Sequence, residues 1–335
     1  MGYRIEYQVY RRPFQTPLHT HHGVWTVREG MIVRLINQDG RSSVGEIAPL
    51  PEFGSESLSQ AFDWCQRLPQ MITETDIYSI PPTLPACQFG FESALESFKN
   101  PERISQDIEL EQNQLAMCCL LPTGRSALDA WQLPVRQGHH TLKWKIGVAS
   151  VDEEIRWLET LMRSLPANVR LRLDANGGLT WDAAQRWMEA CDRFSSVYSA
   201  AIEFVEQPLP PAQFEKLLVL NCQYQTPIAL DESVATLAQL QGCYERGWRG
   251  LVVVKAAIAG FPSKLREFCQ THAVDVVWSS VFETAIARRF ILKYLVPSLP
   301  SCDRALGFGV TQWFADSTLD QSELIQSDGE RLWHH

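Results

Sequence analysis

From residue 115 onward the chain alternates short apolar runs with amphipathic segments. The runs are "AMCCLLPTG" (116–124), "TLKWKIG" (141–147), "VRLRLDANG" (169–177), "AIEFVEQPL" (201–209), "PIALDES" (227–233), "LVVVKAA" (251–257), "VDVVWSSVFE" (274–283) and "RALGFG" (304–309). Each has the length of a strand, and in several the apolar residues fall on every second position. The segments between them carry helix signals. Ser150 followed by Glu153 has the form of a capping box, Thr180 is placed to cap "WDAAQRWMEACDRF", and Gly247 to end "LAQLQGCYERG". Eight strand candidates alternating with helices predict a parallel βα architecture. A doubly wound sheet is the rival, but no GxGxxG follows the first strand. Eight units in about 200 residues fit a modified (β/α)8 barrel whose last helices are short or missing.

Upstream the texture differs. Residues 1 to about 48 read as β structure, with two runs in "EGMIVRLINQDGRSSVGEIAPL" around the turn-rich "NQDGRSS". Residues 56–99 read as helical, interrupted by "SIPPTLP". The expected organisation is an α+β domain over 1–112, a barrel over 113–309 and a C-terminal tail over 310–335.

Composition narrows the function classes. The chain has 335 residues, 45% of them hydrophobic, with a formal charge of −9 and a pI near 5.4. Such a balance disfavours nucleic acid and anionic membrane as partners. No apolar run approaches the roughly 18 residues of a membrane span. The N-terminus "MGYRIEYQVYRRPF" carries charge where a signal peptide needs an apolar stretch, and Glu6 stands where an acylation signal after Gly2 needs Ser or Thr. The nine cysteines are odd in number and form no CxxC. They read as reduced, buried thiols of a cytoplasmic protein.

The candidate chemistry lies at strand ends, where barrel enzymes place their active sites. Lys145, Asp174, Glu206, Asp231 and Lys255 each end one of five successive runs. One strand-end carboxylate is commonly a helix cap. Three on neighbouring strands repel one another unless a cation joins them, and an all-oxygen set favours a hard ion such as Mg²⁺, with Mn²⁺ as the alternative. Lys145 and Lys255 lie four strands apart in a ring of eight, facing each other across the barrel. This constellation suits abstraction of a proton next to a carboxylate of a small anionic substrate.

"KWK" (143–145), "LDAN" (173–176), "EQP" (206–208), "LDES" (230–233) and "VVVK" (252–255) together resemble the enolase superfamily, in its muconate-lactonizing-type subgroup. "REGMIVRL" (28–35), "GEIAPLPEFGSES" (45–57), "SSVFETAIA" (279–287) and "ALGFGV" with "WFADS" (305–317) are similar to the o-succinylbenzoate synthase family within it. The resemblance implies that the N-terminal domain caps the barrel and is completed by the tail. It implies a lyase that dehydrates 2-succinyl-6-hydroxy-2,4-cyclohexadiene-1-carboxylate to o-succinylbenzoate, a step of menaquinone or phylloquinone synthesis. The alternative is an N-acylamino acid racemase or dipeptide epimerase built on the same groups. Lys145 matches the base and acid, Lys255 the opposing cation, and Asp174, Glu206 and Asp231 the metal ligands. The loop "AAIAG" after Lys255 departs from other members of the subgroup and leaves that side of the pocket open.

Further candidates each carry a structural reading beside the functional one. Lys143 shares a face with Lys145 one layer deeper, so its charge can tune the base or contact the substrate; the structural reading is a pair with a barrel carboxylate. Arg172 can bind the anion or form an ion pair. Asn176 can support the site or make the "NGG" turn, and Ser279 and Ser280 can hold the second carboxylate or cap a loop. Leu50 and Phe53 can touch the substrate ring or pack inside the cap. "THHG" (20–23) can be a lid, although a surface loop fits His21 and His22 better.

Overall fold

The structure is a computed structural model that describes residues 2–20, 23–100, 115–299, 304–310, 313–316 and 319. His21, His22, most of the tail and the expected boundary at residue 112 lie outside the described residues.

The N-terminal part is a four-stranded antiparallel sheet of order β3-β2-β1-β4. Its strands are β1 (Gly2–Thr20), β2 (Gly23–Ile36), β3 (Ser42–Ile47) and β4 (Met71–Thr73). β4 went unread because three residues, one of them buried, show no periodicity. The sheet packs on the helix Pro85–Lys99, which is buried almost all round. Gly45 permits that approach: a Cβ there would collide with the Gly90 carbonyl. The helix has no cap on its own Leu84. Instead the buried Glu56 carboxylate, reaching in from before the first helix, accepts from the amides of Ala86 at 3.0 Å and Cys87 at 2.7 Å.

Seven parallel strands follow: β5 (Cys118–Leu120), β6 (Thr141–Lys145), β7 (Arg170–Asp174), β8 (Ala201–Glu206), β9 (Ile228–Leu230), β10 (Leu251–Val254) and β11 (Val276–Trp278). The expected eighth strand is reduced to two bridges. Leu306 pairs with Met117 beside β5, and Gly307 pairs with Ser279 beyond β11. The Cys118 amide donates to the Leu306 carbonyl at 2.9 Å, and the Gly307 amide to the Trp278 carbonyl at 2.8 Å, so residues 305–307 close the ring. A Cβ at Gly307 would stand 2.9 Å from Ser279 Oγ, so this seam needs glycine where a regular strand would carry a side chain.

Thr180 caps the helix Trp181–Val197 by accepting from Ala183 N, and Gly247, at φ +99°, follows the helix Leu237–Glu245. Ser150 does not make a capping box. Its hydroxyl donates to the Glu153 carboxylate at 2.5 Å, while the buried Glu154 carboxylate accepts the amides of Gly147, Val148 and Ala149. Three loop amides offer a buried acid more than one exposed hydroxyl can.

Two buried ionisable groups fasten the sheet to the barrel. Glu46, on β3, accepts from Tyr10 Oη at 2.5 Å, Thr284 Oγ1 at 2.6 Å, Thr284 N at 2.9 Å and Ala287 N at 3.1 Å. Arg28, on β2, donates from Nε to the Val281 carbonyl at 2.9 Å and from its terminal nitrogens to the carbonyls of Ala48 and Pro49 at 2.8 Å. Glu46→Ala would strand several buried donors, each costing about 1–3 kcal/mol. The expected result in urea unfolding is a loss of about 3 kcal/mol or more; a loss below about 1 kcal/mol would contradict the fastening role. Among the described residues no helix is long and apolar enough to cross a membrane.

Candidate active site

The five strand-end groups stand on neighbouring strands because the ladder is in register at its C-terminal edge. Lys145 pairs with Asp174, and Asp174 with Glu206. Asp231 follows β9 directly and Lys255 follows β10. Three non-glycine residues among those described have positive φ: Asn176 (45°), Gln207 (38°) and Phe282 (61°). All three follow strand ends, where the chain turns abruptly to leave the rim. Gln207 is fully buried and its carboxamide ties β8 to the next loop. Oε1 accepts from the amides of Asp231 at 3.0 Å and Ser233 at 3.2 Å, and Nε2 donates to Ser233 Oγ at 2.8 Å. It thereby sets where Asp231 points.

Lys143, Lys145, Asp174, Asn176, Asp231, Lys255, Ser279 and Ser280 all border one cavity of about 150 Å³. Lys145 Nζ donates to Asn176 Oδ1 at 2.8 Å. The Asn176 amide is oriented in turn, for its Nδ2 donates to Glu232 Oε1 at 3.2 Å and its backbone amide to Asp174 Oδ1 at 3.0 Å. Lys255 Nζ is paired with Asp231 and lies 4.3 Å from the centre of the Phe53 ring. Phe53 therefore borders the site, while Leu50 is packed in the core.

Lys143 takes the pairing role. Its Nζ is 2.9 Å from Asp174 Oδ2 and 2.7 Å from Glu206 Oε1. Burial opposes its charge, but Asp174, Glu206 and Asp231 outweigh burial and hold its pKa well above the usual lysine value. Arg172 is not brought to the cavity. It lies one layer deeper, with Nε 2.8 Å from Glu203 Oε2, and Arg304 shares the same carboxylate at 2.9 Å. Ser280 Oγ is engaged with Glu283 at 2.8 Å.

The acids show what such packing does to charge. Burial opposes ionisation of Asp174, yet Lys143 and Lys145 keep its pKa below the ordinary range. Burial, then Asp174, pushes Glu206 up to about 7, and burial raises Asp231 and Glu232 as well. Glu232 Oε2 has no hydrogen-bond partner among the described residues. Among the described residues no set of three His, Cys, Asp or Glu side chains stands together as metal ligands, since ammonium groups are interposed. The donor chemistry nonetheless fits a hard divalent ion. Asp174, Glu206 and Asp231 are buried, adjacent and all oxygen, and burial pushes Glu206 and Asp231 upward.

The sequence reading missed the apolar walls. Trp25, Leu120, Phe282, Val310 and Trp313 border the cavity. They come from segments far apart in the chain, and only the nearby Ser279 and Ser280 could have marked Phe282.

Comparison with known proteins bears on these observations. Residues 127–327 match the family described as enolase C-terminal domain-like, and residues 4–98 match the MenC N-terminal domain. The chain is 41% identical over 335 residues to an o-succinylbenzoate synthase of Thermosynechococcus vestitus, covering 98% of each. It is 28% identical to one of Photorhabdus laumondii, over 97% of this chain and 92% of that one. The crystal structure of the o-succinylbenzoate synthase from Thermosynechococcus elongatus, complexed with Mg in the active site, superposes with a TM-score of 0.87 at 40% identity, covering 98% of this chain and 99% of that chain. The L-Ala-D/L-Glu epimerase of Bacillus subtilis shares the fold, with a TM-score of 0.76 at 20% identity over 93% of this chain and 91% of that one.

Proposed function

We propose that this chain, which belongs to the enolase superfamily and within it to the o-succinylbenzoate synthase family, dehydrates 2-succinyl-6-hydroxy-2,4-cyclohexadiene-1-carboxylate to o-succinylbenzoate, as a lyase of menaquinone or phylloquinone synthesis. The observation that carries the reading is the convergence of Lys145 and Lys255 on one cavity, with Asp174 and Asp231 in its wall.

Lys145 removes the proton from the carbon bearing the substrate carboxylate. Asn176 Oδ1 accepts one N–H of Lys145, which fixes the rotation of the amine and leaves its lone pair for the substrate. Lys255 presents a cation from a strand four away, where it stabilises the negative charge that develops on the carboxylate. Lys145, now carrying the proton, gives it to the departing hydroxyl. A C–H and a C–O bond break, water leaves, and the ring becomes aromatic. Because one residue serves both events, proton and hydroxyl depart from the same face. Mg²⁺ held by Asp174, Glu206 and Asp231 would supply Lewis-acid stabilisation of that same charge, and Mn²⁺ suits the same oxygens. We assign the cap to residues 1–112, the barrel to 113–309 and the returning tail to 310–335; the backbone bond from Ala315 N to Pro13 O supports the return. The eight described cysteines are all free, which supports a cytoplasmic location.

The test is a direct assay of purified protein with Mg²⁺ on the cyclohexadiene substrate, beside N-acylamino acids and dipeptides. Dehydration should exceed racemisation or epimerisation in kcat/KM. The reverse order would move the chain to the epimerases.

A further inference from the structure

Phe282 has a backbone that its side chain does not favour. Its φ of 61° lies in the left-handed region, where a bulky residue is strained. The residues around it hold it there. Its own amide donates to Ser280 Oγ at 2.9 Å. The amide of Val281 donates to Glu283 Oε2 at 2.7 Å, and the Val281 carbonyl accepts from Arg28 Nε at 2.9 Å. On the other side, the Thr284 amide donates to Glu46. Two of these partners, Arg28 and Glu46, belong to the N-terminal sheet, so the strained turn depends on both parts of the molecule. The ring is equally constrained. It meets Phe14 edge-on at 5.4 Å, Trp25 at 6.2 Å and Phe314 at 6.3 Å between centroids, and it borders the cavity beside Ser279 and Ser280.

A fold keeps such strain where the displaced side chain is useful. Resting on the proposed reaction, we propose that Phe282 determines specificity for a planar six-membered ring: the docked N-terminal sheet forces its backbone left-handed so that a rigid aromatic edge or face meets the substrate ring. The diene is nearly flat and the product is flat, whereas a saturated ring is puckered and thicker. A wall of immobilised aromatic groups favours the flat form.

The experiment compares wild type with Phe282→Leu, Phe282→Ala and Phe282→Gly. Competitive inhibition is measured with o-succinylbenzoate and with its saturated analogue 2-succinylcyclohexane-1-carboxylate. Wild type should favour the flat inhibitor. In Phe282→Leu that preference should shrink roughly 3–10-fold, the size of a lost aromatic contact, with KM raised and kcat within about twofold. Phe282→Gly should melt about 2–4 °C above Phe282→Ala, because glycine relieves the strained φ while both lack the ring. An unchanged inhibitor preference in Phe282→Leu would overturn the specificity role. A glycine variant no more stable than the alanine variant would overturn the strain. Wild type that fails to turn over the cyclohexadiene substrate would overturn the assigned reaction itself, an outcome distinct from wild-type turnover with an unaltered preference.

Discussion

Replacing Lys145 by Ala should reduce kcat by roughly 10²–10⁴-fold, the range general acid–base groups supply, while far-UV circular dichroism and the melting temperature stay close to wild type. The fold should tolerate the change because the lysine is half-buried at the strand end and its described side-chain bond goes to Asn176 alone. The ladder around it is backbone, and its neighbour Lys143 still balances Asp174 and Glu206. In the proposed mechanism Lys145 both abstracts the proton and returns it, so the loss should appear in kcat rather than KM. Activity within about tenfold of wild type would defeat the assignment.

EDTA should abolish activity and Mg²⁺ should restore it. The same ion should raise the melting temperature, since Mg²⁺ at 100 times its Kd adds about 2.7 kcal/mol to a folded state that alone binds it. Four buried acids, Asp174, Glu206, Asp231 and Glu232, crowd one rim, and burial has already pushed Glu206 up to about 7. A divalent ion relieves that crowding more completely than ammonium groups can. Glu206→Ala should lose both effects, the rescue and the thermal shift. Activity that survives exhaustive chelation, or a melting curve indifferent to Mg²⁺, would remove the metal from the reading.

Much of the site was legible because a parallel barrel converts sequence into position by a simple rule. The charged residue that closes the apolar core of each strand lands on the rim, so Lys145, Asp174, Glu206, Asp231 and Lys255 could be named before any coordinates. The same rule fails for depth. Alternation puts Arg172 and Asp174 on one face, but two residues along a strand is one layer of the barrel, and Arg172 ends beneath the site against Glu203. Lys143 shows the complementary limit: its face was legible, but its partners depended on which acids neighbouring strands delivered. The seam at residues 305–307 closes through two bridges, too few for a strand pattern to register fully. Ser150 illustrates competition, since its hydroxyl donates to the Glu153 carboxylate instead of accepting from the helix, while the loop amides before it go to Glu154. The aromatic wall was the least readable part. Trp25, Phe282 and Trp313 meet only through tertiary folding, and no local pattern distinguishes them from core residues.

The carboxylate of Glu46 has a consequence for how such an enzyme could be divided. Its partners Thr284 and Ala287 cap and begin the helix that leaves the last full strand, yet the acid itself sits on the N-terminal sheet. Expressed without that sheet, the barrel would carry unmatched amides and an unsupported turn at Phe282 into its own mouth. Neither half is therefore a natural module for transplantation. Swapping caps between relatives to alter substrate choice would have to carry Arg28, Glu46 and the turn at 280–284 together, as one inherited unit.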